Sequence, residues 1–192
     1  RPSDKNRALL KKMAHPMLEV VWGDMADFAC VQRCVAGTDY VLHIGAMVSP
    51  AADKYPEKTL YTNIGSTLAI IKAIQEQPNA DDIHLVYVGT VAETGDRQYP
   101  VQMGRCGDPI NPSIHDYYAI SKVFSEFAVF ESGLKHWVSI RQTGQYPTND
   151  GAGEEPIIFH QPPNNVLEWS TSIESGICMA NICESWVPES FW

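Results

Sequence analysis

The chain has 192 residues, enough for one domain or for one and part of another. Its net charge is −9, from 14 basic and 23 acidic side chains, which excludes a nucleic-acid or anionic-membrane surface as the main function. No apolar run approaches a membrane span, and the polar opening Arg1-Pro2-Ser3-Asp4-Lys5 is not a signal peptide. The five cysteines (Cys30, Cys34, Cys106, Cys178 and Cys183) are odd in number and show no CxxC spacing. Reduced thiols in a cytoplasmic protein are therefore expected, with neither a disulfide framework nor a zinc site.

In chain order, residues 6–13 read as the end of a helix. Residues 18–22, Leu-Glu-Val-Val-Trp, read as a short strand stopped by Gly23-Asp24. Asp27 can cap a helix reaching Val35, with Gly37 ending it. Cys30 and Cys34 share a face of that helix and are expected as small buried residues. Residues 40–44 form a second apolar strand that runs into Gly45-Ala46-Met47, small enough at its start for a ligand to approach the backbone. Residues 56–75 carry apolar side chains at helical spacing. Residues 83–88 form a third strand, ending at Gly89-Thr90. Residues 97–113 are rich in Gly and Pro and read as a loop. Residues 117–132 form the next helix, with Gly133 placed as its C-terminal cap. Residues 137–141 form a fourth strand. Beyond it lie a turn at 149–153, strands at 157–160 and 166–171, and a helix at 174–184.

Strands alternating with helices predict a parallel sheet covered on both faces. Ligands of such sheets bind outside the carboxyl ends of the strands. Asp24, Gly45-Ala46-Met47, Thr90 and the run after Arg141 all fall there. The densest chemical signal is Asp116-Tyr-Tyr-Ala-Ile-Ser-Lys122. A helix places Tyr118 and Lys122 on one face, one turn apart. Four residues beyond Tyr117 is Ser121, so the spacing selects Tyr118. A lysine ammonium near a phenol lowers its pKa from about 10 towards neutrality and suits it to acid–base work. A plain surface pair is the competing reading of that spacing. Thr90 has a similar alternative, a strand-end hydroxyl satisfying backbone. Asp24 can be a turn aspartate capping an amide. Asn63 reads as a buried amide tying strand to helix, and His43 as a satisfied core histidine. His115 could face a substrate or simply occupy a loop. Glu93 and Asp96 border the site loop without a pairing that argues for a second acid. His84, His136 and His160 lack the spacing of a metal site.

In this order the landmarks resemble the extended short-chain dehydrogenase/reductase superfamily, the NAD-dependent epimerase/dehydratase group, over residues 18–146. Gly23-Asp24-Met25-Ala26-Asp27 is similar to the family's segment whose acid lies near the adenine. Residues 41–46 resemble its cofactor-lining VxHxAA, and Asn63-Ile64-Gly65-Ser66-Thr67 its NxxGT. Thr90 stands five residues before Gly95, as the family's catalytic Ser/Thr does. Tyr118-Ala119-Ile120-Ser121-Lys122 is its YxxxK. Residues 141–146, with Thr143 among them, resemble the run that approaches the nicotinamide. The resemblance implies a Rossmann-like doubly wound α/β sheet and an NAD or NADP cofactor held by Asp24, Met25, Gly45, Ala46, Met47, Tyr118, Lys122 and Thr143. It implies Thr90, Tyr118 and Lys122 as catalytic residues, a small hydroxylated or sugar-nucleotide substrate, and a homodimer through the helices at 56–75 and 117–132. Neither nucleic acid nor membrane is an expected partner, and no metal is expected.

The family's opening strand, GxxGxxG loop and second strand have no counterpart here; Gly65, Gly89 and Gly95 do not form such a loop. In the doubly wound order those strands would stand between the segments at 18–22 and 40–44, which are left without a common neighbour. Residues 1–147 are therefore expected to be a partial dinucleotide-binding domain, and 148–192 the start of a substrate-binding region. The chain reads as a portion of a longer protein. A non-catalytic nucleotide-binding or scaffold relative, and an inactive fragment, stand as alternatives to the enzyme.

Overall fold

The computed structural model describes residues 2–95, 105, 107–146 and 169–186. Its centre is the strand β2 (His84–Thr90), buried from Leu85 to Thr90. A strand buried on both faces needs no alternation of apolar and polar residues, and this one lacks it. It pairs in parallel with β1 (Tyr40–His43) on one side and β3 (His136–Gln142) on the other. Parallel strands require crossovers. The helix α4 (Pro56–Gln75) lies in the crossover from β1 to β2, and α5 (Tyr117–Phe130) in that from β2 to β3. Three shorter helices precede α4: α1 (Asp4–Lys12), α2 (Phe28–Val35) and α3 (Ala51–Lys54).

Side chains alternate between the two faces of the sheet. Leu85 and Tyr87 point to the face where Val31 and Val35 of α2, Ile70, Ile71 and Ile74 of α4, and Val129 of α5 form the core. The helices α4 and α5 approach closely because small buried residues (Ser66, Ala69, Ala119, Ser121 and Ser125) lie on them. On the opposite face, Tyr40, His84 and His136 stand in register across the three strands. Trp186, just past α6 (Ser172–Glu184), meets His84 edge-on with ring centroids 4.5 Å apart. Both faces thus carry cover, in the Rossmann-like α/β arrangement expected from the order of elements.

Local signals form the ends of α2 and α5, with Asp27, Gly37 and Gly133 where expected and Asp116 in addition. The Asp27 side chain accepts from Ala29 N at 3.0 Å at the start of α2, and Asp116 accepts from Ala119 N at 2.8 Å at the start of α5. Gly37 and Gly133 follow α2 and α5 with φ of 75° and 70°, a region costly for other residues. Of the two α2 cysteines, Cys30 is buried against Gly23 but Cys34 is exposed, contrary to the shared burial expected.

The segment 18–22 is a larger departure. It forms no strand, and Leu18, Val20, Val21 and Trp22 are exposed. A strand exists through its ladder, and no described strand is placed to pair with this one. Leu42 of β1 and Ile44 just past it are exposed as well. After β3, β4 (Gly144–Tyr146) and β5 (Trp169–Thr171) form a separate parallel pair. The strand expected at 166–171 is thus present from Trp169. Thr171 and Glu174 make a reciprocal cap, so α6 begins at Ser172 rather than at residue 174. The strand expected at 157–160 and the boundary at 147–148 lie outside the described residues. Among the described residues no helix is long and apolar enough to cross a membrane, and no group of three metal-ligating side chains occurs.

Candidate active site

On the face covered by α4 and α5, three polar strand residues stand in one row: His43, Tyr87 and Ser139. Each is buried, so each needs a partner. His43 Nε2 lies 2.9 Å from Thr67 Oγ1 on α4 and 3.3 Å from Ser66 Oγ. Tyr87 donates its hydroxyl to the Lys122 carbonyl on α5 at 3.1 Å. Ser139 donates to Glu126 Oε1 at 2.5 Å. This is the satisfied core histidine expected of His43. Burial, and after it the charge of Lys122, lowers its pKa from 6.5 to about 3 and keeps it neutral.

The next row pairs Gly89 with Arg141. A Cβ on Gly89 would stand 2.7 Å from Glu93 Oε1. The space left by the absent side chain holds the Glu93 carboxyl, folded back from a short 3-10 turn, Val91–Thr94. Thr90 and Glu93 cap that turn reciprocally: Glu93 Oε1 accepts from Thr90 N at 3.0 Å, and Thr90 Oγ1 accepts from Ala92 N at 3.2 Å. Arg141 donates to Glu126 Oε2 through Nη2 at 2.7 Å and to Oε1 through Nε at 3.2 Å. The same Nε lies 3.3 Å from Glu93 Oε2.

Tyr118 sits in the first turn of α5, with its phenol beside Thr90. Thr90 is buried and Tyr118 half-buried. Lys122, one turn on, is only 2% exposed, with Nζ 4.4 Å from the Tyr87 ring centroid. Burial lowers its pKa to about 8, against the opposing pull of Glu93 and Glu126. Burial also raises the Tyr118 phenol above its ordinary value; the neighbouring Thr90 hydroxyl opposes this, and Glu93 adds to it. The lowering of Tyr118 by Lys122 expected from spacing is not what this structure holds. The two share a helix face, but the lysine reaches inward, to the aromatic ring and the carboxyls.

The other expected site residues lie at the same edge of the sheet. Gly45, Ala46 and Met47 follow β1. Met47 N donates to Asn63 Oδ1 at 2.7 Å, and Asn63 Nδ2 donates to Met47 O at 3.0 Å and to Ser121 Oγ at 2.8 Å. One buried carboxamide therefore fixes the strand-end loop and ties it to α5 beside Lys122, the role expected of Asn63. Asp24 is exposed and accepts from Ala26 N at 3.0 Å, as a turn aspartate does. Met25 packs at Gly45, where a Cβ would stand 3.1 Å from its Sδ. Thr143 lies one residue past β3, and His115 is exposed in the approach to α5. Thr90, Tyr118 and Lys122 are thus gathered together, Met25 meets Gly45, and Asp24 and Thr143 stand at the rim.

Sequence reasoning missed the buried trio Glu93, Glu126 and Arg141. Two local signals pointed to it: Thr90-x-x-Glu93 has capping-box spacing, and Glu126 follows Lys122 by one further helical turn. Burial raises the Glu93 carboxyl to about 8, and neighbouring Glu126 adds to the rise, against the Thr90 amide and Arg141. Burial also pushes on Glu126, but hydrogen bonds from Arg141, Ser139 and Glu93 outweigh it and hold that carboxyl below its ordinary range.

Known proteins are similar to this chain in sequence and in fold. A 3 beta-hydroxysteroid dehydrogenase/Delta 5-->4-isomerase of Mycobacterium tuberculosis is 24% identical over 97% of this chain and 50% of its own length. The chain spans about half the length of the curated relatives it matches. The dTDP-glucose 4,6-dehydratase of Streptomyces venezuelae, solved with NAD bound, superposes with a TM-score of 0.76 at 19% identity, over 99% of this chain and 61% of that one. UDP-glucose 4-epimerase of Bifidobacterium longum, solved with NAD+ and UDP, gives 0.74 at 14% identity, over 99% and 66%. At such identities these two show the shared fold. Residues 1–146 match the NAD dependent epimerase/dehydratase family, and the chain, with its parallel sheet and its Thr90–Tyr118–Lys122 cluster, belongs to that family.

Proposed function

We propose that this chain carries the catalytic residues of an NAD- or NADP-dependent oxidoreductase, epimerase or dehydratase acting on a small hydroxylated or sugar-nucleotide substrate. The observation that carries the reading is the placement of Tyr118 beside Thr90 above buried Lys122, at the carboxyl edge of a parallel sheet. The nearby backbone suits a dinucleotide. Gly45 and Ala46 present little side chain, Asn63 holds the loop from behind, and Met25 packs beside Gly45. In this reading Asp24 and Met25 lie on the adenine side, Gly45 to Met47 line the cofactor, and Thr143 approaches the nicotinamide from past β3.

When bound, the nicotinamide supplies hydride transfer to or from the carbon bearing the hydroxyl or carbonyl. Tyr118 Oη gives or takes the proton of that oxygen, and Thr90 Oγ1 hydrogen-bonds the same oxygen and orients it. Lys122, buried beside the Tyr87 ring, would hydrogen-bond the nicotinamide ribose. Exposed Tyr61 and Leu68 on α4, and Phe124 and Phe127 on α5, support pairing of those helices with a second copy. Half-buried side chains at the site and the relatives' names support a small-molecule substrate.

The test is a thermal-shift titration with NAD+, NADH, NADP+ and NADPH, followed by turnover assays on dTDP-sugars, UDP-sugars and hydroxysteroids. Ligand that binds the folded state raises the melting temperature. Tyr118→Phe is expected to keep that rise and to lose about 10²–10⁴-fold in turnover. Unchanged turnover in Tyr118→Phe would refute the assignment. Cofactor binding without turnover in the wild type would favour a nucleotide-binding relative instead.

A further inference from the structure

We propose that Glu93 is a positioning residue of this site, a neutral carboxyl that hydrogen-bonds Glu126 through Oε2 while it holds the Thr90 amide through Oε1. The inference rests on the roles given to Thr90 and Tyr118 above. Glu93 is 0% exposed and Glu126 1% exposed, and their carboxyls crowd one nitrogen: Arg141 Nε lies 3.2 Å from Glu126 Oε1 and 3.3 Å from Glu93 Oε2. Two buried carboxylates sharing a site do not both ionise. The donors decide which one keeps the proton. Glu126 receives three donations, from Ser139 Oγ and from Arg141 Nε and Nη2. Glu93 Oε1 has the Thr90 amide, but Oε2 has no hydrogen-bond donor among the described residues. Arg141 Nε is near it, at 3.3 Å, but donates to Glu126. A buried carboxylate oxygen without a donor is costly, and a proton on Oε2 aimed at Glu126 removes that cost.

The neutral state matters for what surrounds it. Lys122, Tyr118 and Glu126 face Glu93 from α5, Arg141 from β3 and Tyr87 from β2. A charge on Glu93 raises the Tyr118 phenol further and so opposes its use as a base. Glu93 also reaches the tyrosine's helix through its backbone. Its carbonyl accepts from Asn111 N at 2.9 Å in the loop that leads to Asp116, the cap of α5. One residue thereby fixes the Thr90 turn and the approach to Tyr118.

The test is an infrared titration of the protein labelled with 13C at the glutamate carboxyl, in the wild type and in Glu93→Gln. The wild type is expected to show a protonated carboxyl band near neutral pH that disappears as pH rises through about 8. Glu93→Gln, whose amide reproduces both hydrogen bonds of a neutral carboxyl, is expected to fold normally and to lack the band. A missing band in the wild type, a band that survives in Glu93→Gln, or failure of that variant to fold overturns the proposal. This readout needs no substrate, so it decides the carboxyl pair even if the proposed activity fails. Where turnover is measurable, Glu93→Gln is expected to retain at neutral pH what Glu93→Ala loses by about tenfold or more, the change expected for one lost buried hydrogen bond. Equal turnover in the two variants would overturn the positioning role.

Discussion

Lowering the pH from about 7 to about 5 is expected to cost the fold about 2 kcal/mol through His43 alone. The imidazole is 5% exposed, and its nitrogen partners are the hydroxyls of Thr67 and Ser66. Burial, with Lys122 second, holds it neutral until about pH 3, whereas the unfolded chain takes up the proton near 6.5. Between those values the unfolded state binds more protons, so stability is present above 6.5 and is lost as pH falls. Fully expressed, the displacement amounts to about 5 kcal/mol, at about 1.4 kcal/mol for each tenfold change in proton affinity. Glu93 acts with the opposite sign. Its folded value is raised from 4.5 to about 8, so its contribution is present below 4.5 and is lost as pH rises through about 8. A single stability curve therefore mixes the two, and a difference between proteins separates them. Urea unfolding of the wild type and His43→Asn, at about pH 7, 6 and 5, is the assay. The carboxamide can still bond Thr67 but does not titrate. The wild type's advantage over the variant is expected to shrink by about 2 kcal/mol across that range. Parallel curves would refute the reasoning and show that the folded imidazole takes up its proton as freely as the unfolded one.

Asn63→Ala removes the partner of Met47 N, Met47 O and Ser121 Oγ together, and is expected to destabilise by on the order of 2–4 kcal/mol in urea unfolding. It should also weaken the cofactor-dependent melting shift, because the loop from Gly45 to Met47 loses its backing. Gly89→Ala drives a Cβ to 2.7 Å from Glu93 Oε1 and is expected to cost about 1–3 kcal/mol. In a double-mutant cycle that cost should fall in a Glu93→Ala background, and additive effects would show that the clash lies elsewhere.

Local signals in the sequence determined much of this protein. The apolar spacing from Pro56 to Gln75, the buried run from Leu85 to Val88, the caps Asp27 and Asp116 and the glycines at 37 and 133 each depend on neighbours within a few residues. The same short range places Tyr118 and Lys122 on one helix face. Tertiary structure decided what depends on residues far apart in the chain. The apolar run at 18–22 has strand character but no strand, because a ladder needs a second backbone alongside. Cys34 matches Cys30 in helical spacing, yet only Cys30 finds a covering surface. Glu93 reads as a loop acid until Gly89 opens a space beneath the strand and Arg141 and Glu126 arrive from two other elements. A charged group's chemistry is set by its desolvation and its partners, and both are properties of the assembled interior rather than of the chain order.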